Sequence, residues 1–69
     1  MPETDALAKR VKRYRKEQSK NQFEMASDIG ISIEEISLIE RGKTDPKLST
    51  LQKIAAYMGI TVSSLLEVE

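Results

Sequence analysis

Apolar residues recur along this chain at helical rather than alternating spacing. From position 7, Leu7, Ala8, Val11, Tyr14 and Gln18 project into one arc at about 100° per residue, with Lys9, Lys12, Arg13 and Lys16 on the opposite arc. This predicts an amphipathic first helix with a basic back. Arg15 is out of place, because it falls inside the apolar arc. A guanidinium there is costly unless a carboxylate meets it or the side chain snorkels off the core edge.

Punctuation divides the rest. Asn21 is a good N-cap, and Glu24 completes a capping-box pattern that opens a second helix through Ile29, ended by Gly30. Ser32 with Glu35 repeats the device and launches a third helix that closes at Gly42, so the two helices are joined by only Gly30, Ile31 and Ser32 and must turn sharply. Pro46 marks residues 43–47 as a loop, after which Leu48, Leu51, Ile54, Ala55 and Met58 line one helical face. Gly59 stops that helix, and Thr61 caps a last short one over 62–66 whose leucines close the bottom of the core. The expectation is an all-α chain, one domain over residues 1–69, with five helices, no strand and no internal repeat.

Size sharpens this picture. With 69 residues, no cysteine and no histidine, the chain has to fold without disulfide or zinc staples. A domain this small buries roughly 60% of the surface its unfolded form exposes, which favours short, well-capped helices with local contacts. No secretory segment is visible and no apolar run is long enough to cross a bilayer, so a cytoplasmic location without membrane association is expected. Without histidine, cysteine, a glycine-rich phosphate loop or metal-ligand spacing, nothing supports catalysis, a metal or a cofactor. Tyr14 and Tyr57 read as packing residues.

The net charge is zero, but unevenly distributed. Residues 1–20 hold seven Lys/Arg against three Asp/Glu, whereas residues 21–42 hold Arg41 against Glu24, Asp28, Glu34, Glu35 and Glu40. Any phosphate-binding surface would be sparing in cations.

The stretch QFEMASDIGISIEEISLIERGKTDP, preceded by VKRYRKEQ and followed by LSTLQKIAAYMGITVSSLL, resembles the phage repressor and Cro type of helix-turn-helix domain, the xenobiotic-response-element family of regulators. The likeness covers about residues 7–66. It implies a compact five-helix, lambda-repressor-like fold in which helices two and three form the helix-turn-helix. Ala26 would sit where those helices approach closely, Gly30 would take a positive φ at the turn, and Ile36 and Ile39 would face inward. It also implies a partner for Arg15, since relatives commonly pair an arginine here with the acid at the position of Glu40.

Placing Ile33 at 0° puts Ser37 at about 40°, Arg41 at about 80°, Glu34 at about 100° and Leu38 at about 140°, while Ile36 and Ile39 lie on the other side of that arc at about 300° and 240°. The family resemblance makes Ile33, Glu34, Ser37 and Leu38 the base-facing candidates. This face departs from the usual Gln, Arg, Ser, Thr or Asn. Glu34 can accept from cytosine N4, Ser37 can pair with several bases, and Ile33 or Leu38 can meet a thymine methyl, but bidentate guanine reading is absent. Each has a plainer reading too: Glu34 and Glu35 complement the helix dipole, with Glu35 at the capping-box position, and Ile33 and Leu38 are scattered surface residues or part of a protein interface. Asn21 and Gln22 match the family's phosphate site at the start of helix two, and Arg41, Lys43, Thr44 and Lys47 border the loop that lies along the DNA backbone in relatives. The basic back of helix one is a solvated face or a marginal phosphate contact.

The expected function is that of a sequence-specific transcriptional regulator binding double-stranded DNA as a homodimer on a palindromic operator, with Leu65, Leu66 and Val68 as candidate dimer contacts. The alternative is a protein-interaction module, antitoxin or antirepressor-like, that docks a partner through Ile33, Glu34 and Leu38.

Overall fold

The structure is a computed structural model that describes residues 1–68. Five helices follow in order: α1 (Pro2–Glu17), α2 (Gln22–Ile29), α3 (Ile33–Glu40), α4 (Leu48–Met58) and α5 (Val62–Leu65). The described residues contain no strand and no helix long and apolar enough to cross a membrane. The all-α class and the five elements are as the periodicity predicts.

Helix α1 begins five residues before its apolar stripe does. Pro2 stands in the first turn, where its missing N–H costs nothing, and Glu3 and Asp5 complement the positive helix end. Leu7, Ala8 and Val11 are buried and Tyr14 half-buried, whereas Gln18, expected on the same stripe, is exposed because the helix has ended. Ser19 takes φ 55° there, so that its own N–H reaches the Lys16 carbonyl and the Lys20 N–H reaches that of Arg15.

The caps of α2 and α3 differ. Asn21 forms the complete box, its side chain accepting from the Glu24 N–H at 2.8 Å and its own N–H donating to Glu24 Oε1 at 2.9 Å. Ser32 accepts from the Glu35 N–H at 3.1 Å, but the Glu35 carboxylate does not return to Ser32. It turns instead toward α4, where the buried Thr50 hydroxyl donates to its Oε2 across 3.5 Å. Between the two helices Gly30 has φ 90°, and a Cβ built there meets nothing within 4 Å. The demand for glycine is therefore one of backbone conformation rather than of space.

The interior is assembled from one face of every helix. Leu7 and Val11 of α1, Met25 and Ala26 of α2, Ile36 and Ile39 of α3, Leu51, Ile54 and Ala55 of α4, and Leu65 of α5 form one buried cluster. Helix α4 is rotated slightly from its expected setting: Leu48 is 61% exposed, and Thr50 occupies a buried place at the start of that helix. The last helix is one residue shorter than expected. Leu65 is completely buried and Leu66 half-buried against the core, so Leu65 cannot serve as a dimer contact. Of the three residues assigned that role, only Val68 is well exposed, at 54%.

Side chains lock the packing. Arg10 Nη1 donates to the carbonyls of Leu65 at 2.7 Å and Glu67 at 3.0 Å, fastening the C-terminal turn to α1. The rings of Tyr14 and Tyr57 meet edge to face at 5.9 Å, joining α1 to α4.

Candidate nucleic-acid interface

Helix α3 is anchored from behind. Ile36 and Ile39 are 0% and 1% exposed, and the opposite side carries Ile33 at 41% and Leu38 at 36%. The short link after Gly30 and the Ser32 cap fix where the helix starts; Gly42, at φ 67°, fixes where it stops. A Cβ at Gly42 would sit 3.3 Å from Asp5 Oδ1, so the end of α3 lies close against the first turn of α1.

The roll of α3 is set by the carboxylate of Glu40. Arg15 donates to it through Nε at 2.7 Å and Nη2 at 3.0 Å, while its Nη1 donates to the Lys20 carbonyl at 3.0 Å. The Glu40 side chain retains 3% of its accessible surface and that of Arg15 14%. The hydrogen bond to Glu40 raises the Arg15 pKa further above its ordinary value, against the opposing effect of burial. The misplaced arginine of α1 thus has the partner its position required, and it is a fork-to-fork pair.

Gln22 joins the same carboxylate, its Nε2 donating to Glu40 Oε1 at 3.2 Å. The first residue of α2 is thereby drawn over α3. Gln22, Ile33, Glu34, Ser37, Leu38 and Arg41 line one shallow, open hollow. A second hollow adjoins it, lined by Phe23, Ala26, Ser27, Ile31, Ser32, Ile33 and Glu34. The four residues expected to face bases, Ile33, Glu34, Ser37 and Leu38, therefore share one surface with Gln22 and Arg41. Gln22 and Ser37 are half-buried and the others exposed.

The residues expected at phosphates are more scattered. The Asn21 N–H is taken by Glu24, whose carboxylate brings a negative charge to the α2 start; the first-turn N–H groups of Gln22 and Phe23 are its remaining orphan donors. Arg41 is exposed, with Nε donating to the Ser37 carbonyl at 3.3 Å. Lys43 and Lys47 are exposed on the loop before α4, with Thr44 half-buried between them. Asp45 lies among them and dilutes the positive field.

Two features escaped the sequence reading. Phe23, 66% exposed at the second residue of α2, adds a large apolar group beside Ile33 and Glu34. It follows the polar first residue of a capped helix and lies off the Met25–Ala26 face, a phase that marks it as outward. The second is a polar cluster bridging α2 and α4: Lys20 pairs with Asp28 Oδ2, which also accepts from the Tyr57 hydroxyl at 3.1 Å. These contacts hold the Asp28 carboxyl below its ordinary 3.8, chiefly through Lys20 and then Tyr57. The Lys20 ammonium is raised above 10.5 by Asp28, and the Tyr57 phenol above 10.0, chiefly by burial.

Two capped helices meeting at a glycine turn, with the second braced by an Arg–Glu pair and presenting its outer face, is a specific arrangement. The family profile described as Helix-turn-helix matches residues 11–65. This chain belongs to the helix-turn-helix family. It is 41% identical over 61 residues to the HTH-type transcriptional regulator DdrOP3 of Deinococcus deserti, a match covering 88% of this chain and 47% of that protein. It is 34% identical over 62 residues to the HTH-type transcriptional regulator SinR of Bacillus subtilis, covering 88% and 56%. The immunity repressor protein of Bacillus phage phi105 is 36% identical over 59 residues, covering 86% and 41%. The chain thus spans about half the length of these curated relatives. Among solved structures, the hypothetical transcription factor NHTF from Neisseria superposes with a TM-score of 0.83 at 28% identity, over 94% of this chain and 75% of that one. DdrOP3 and SinR are both named as HTH-type transcriptional regulators.

Proposed function

We propose that the chain is a sequence-specific DNA-binding transcription regulator that lays α3 in the major groove and presents Ile33, Glu34, Ser37 and Leu38 to base edges. The observation that carries this reading is the two-sidedness of α3. Ile36 and Ile39 are sealed, the opposite face is open, and the Arg15–Glu40 pair prevents the helix from rolling. The relatives named as transcriptional regulators and as a phage immunity repressor support it.

Phosphates are met by Arg41, Lys43, Thr44 and Lys47 on one side and by the α2 start, at Asn21 and Gln22, on the other. So few cations give one module weak, strongly salt-dependent binding. Two copies on a two-fold operator, half-sites one helical turn apart, supply the missing affinity and register. The 69 residues act as one module in the cytoplasm, and self-association uses Leu66 and Val68. The test is selection from a randomised duplex pool at low salt. An enriched palindrome is the expected result, and no enrichment overturns the reading.

One observation favours a second reading. Phe23, Ile33 and Leu38 give the open face three exposed apolar side chains around an acid, which also suits a protein partner of the antitoxin or antirepressor kind. Ile33→Asp with Leu38→Asp separates the two: loss of duplex retention supports the regulator, and intact retention with loss of a protein complex supports the rival.

A further inference from the structure

We infer that the reading surface recognises thymine 5-methyl groups, and that its half-site is written in more than one thymine, with an amino-bearing base, cytosine or adenine, between or beside them. This rests on the DNA-binding reading above and specifies the ligand of that same surface.

The surface is unusual in what it offers. Phe23, Ile33 and Leu38 are 66%, 41% and 36% exposed, and the two adjoining hollows share Ile33 and Glu34. Three apolar side chains therefore surround one carboxylate. Among major-groove edges the only apolar group is the C5-methyl of thymine, so it alone gains from burial against this trio. Guanine presents two acceptors, N7 and O6, which an ionised carboxylate repels. Glu34 accepts only from cytosine N4 or adenine N6.

Of the donors that read guanine elsewhere, Gln22 has its amide on Glu40, and Arg41 stands at the C-terminal end of α3 with Nε on the Ser37 carbonyl, where the reading above assigns it to phosphate. The Ser37 hydroxyl discriminates little. Ile33 and Leu38 are separated by about 7.5 Å of helical rise, too far for one methyl group to serve both. The half-site therefore carries more than one thymine.

The experiment uses one chain and two DNA pools. A fully randomised duplex pool is amplified once with thymine and once with uracil, which lacks only the 5-methyl group, and both are selected on the full chain at low salt. The thymine pool yields a motif with more than one thymine; the uracil pool is retained without that enrichment. Remaking the best duplex with uracil at one motif position weakens binding about fourfold, the effect of taking one apolar carbon out of the interface. Replacing thymines outside the motif changes nothing. The double variant Ile33→Gln, Leu38→Gln, altered only at exposed positions, keeps its melting temperature but no longer distinguishes thymine from uracil.

An identical motif from both pools, or one carried by guanine, overturns the methyl-reading inference and leaves the regulator reading standing. Retention of no duplex from either pool overturns both, and assigns the apolar face to a protein.

Discussion

The Glu40 carboxylate accepts both Nε and Nη2 of Arg15, at 2.7 and 3.0 Å, and so clamps the end of α3 to the body of α1. Because the Glu40 side chain is 3% exposed, deleting Arg15 leaves a buried charge with only the Gln22 amide to meet it. Arg15→Ala is expected to lower stability by about 3 kcal/mol in urea unfolding. In a domain of this size that corresponds to a fall in Tm of roughly 12 °C or more. A Tm within a degree or two of the parent would show the pair to be ornamental. Replacing both partners by apolar residues should recover much of the loss.

The two faces of α3 give opposite mutational outcomes. Ile36→Ala opens a cavity in the sealed side and costs about 2–5 kcal/mol. Ile33→Ala, on the open side, changes stability by less than about 1 kcal/mol while weakening binding to the selected duplex. Thermal melts and duplex titrations on the same two samples test both halves.

Ser19 supplies an engineering test. It holds a left-handed backbone at φ 55° in the position that closes α1, where glycine carries no Cβ penalty. Ser19→Gly should raise stability by about 0.5–1 kcal/mol despite the looser unfolded chain. A loss measured by urea unfolding would mean that the hydroxyl matters more than the backbone.

The Lys20–Asp28–Tyr57 cluster makes stability depend on pH at both extremes. The folded-state pKa of Asp28 is depressed, so its stabilising contribution is complete above the ordinary value near 3.8 and is lost as pH falls through the lower folded value. Those of Lys20 and Tyr57 are raised, so their contributions are complete below 10.5 and 10.0 and are lost as pH rises further. Asp28→Asn should therefore be less stable than the parent at neutral pH, with the gap closing below about pH 4. A gap constant from pH 7 to pH 2 would remove the cluster from the pH profile.

Salt dependence checks the proposed phosphate contacts. Replacing Lys43 and Lys47 by Gln should weaken retention of selected and unselected duplex alike, and reduce the slope of log affinity against log salt by roughly 0.9 for each phosphate that is no longer neutralised. An unchanged slope would move the backbone contacts elsewhere.

Local chemistry was the most legible part of this chain. Asn21, Ser32 and Thr61 all cap as their sequence positions suggest, and the buried faces of α1 and α3 follow from their periodicity. The Arg15 partner was legible as a requirement for a carboxylate, and the family resemblance pointed to Glu40. Less legible was what depends on distant packing. Glu35 has the spacing of a capping box, but Thr50 on another helix draws its carboxylate away. Leu48 has the phase of a core residue, yet the loop from Arg41 delivers α4 with Leu48 at an outer corner and Thr50 inside. The early start of α1 has no apolar signal, because its first turn is ordered by Pro2 and acidic residues rather than by burial. The four residues expected to face bases fall on one surface, but Phe23 enters that surface from a different helix, a juxtaposition that no single-helix periodicity contains.

Arg10 holds the Leu65 and Glu67 carbonyls while Leu65 itself is plugged into the interior. The tail of this fold is therefore a closing flap rather than a swivel. Peeling it back must break the guanidinium contacts and uncover the core in the same motion, so a chain joined beyond it would depart from a fixed point, held there by one arginine of the first helix.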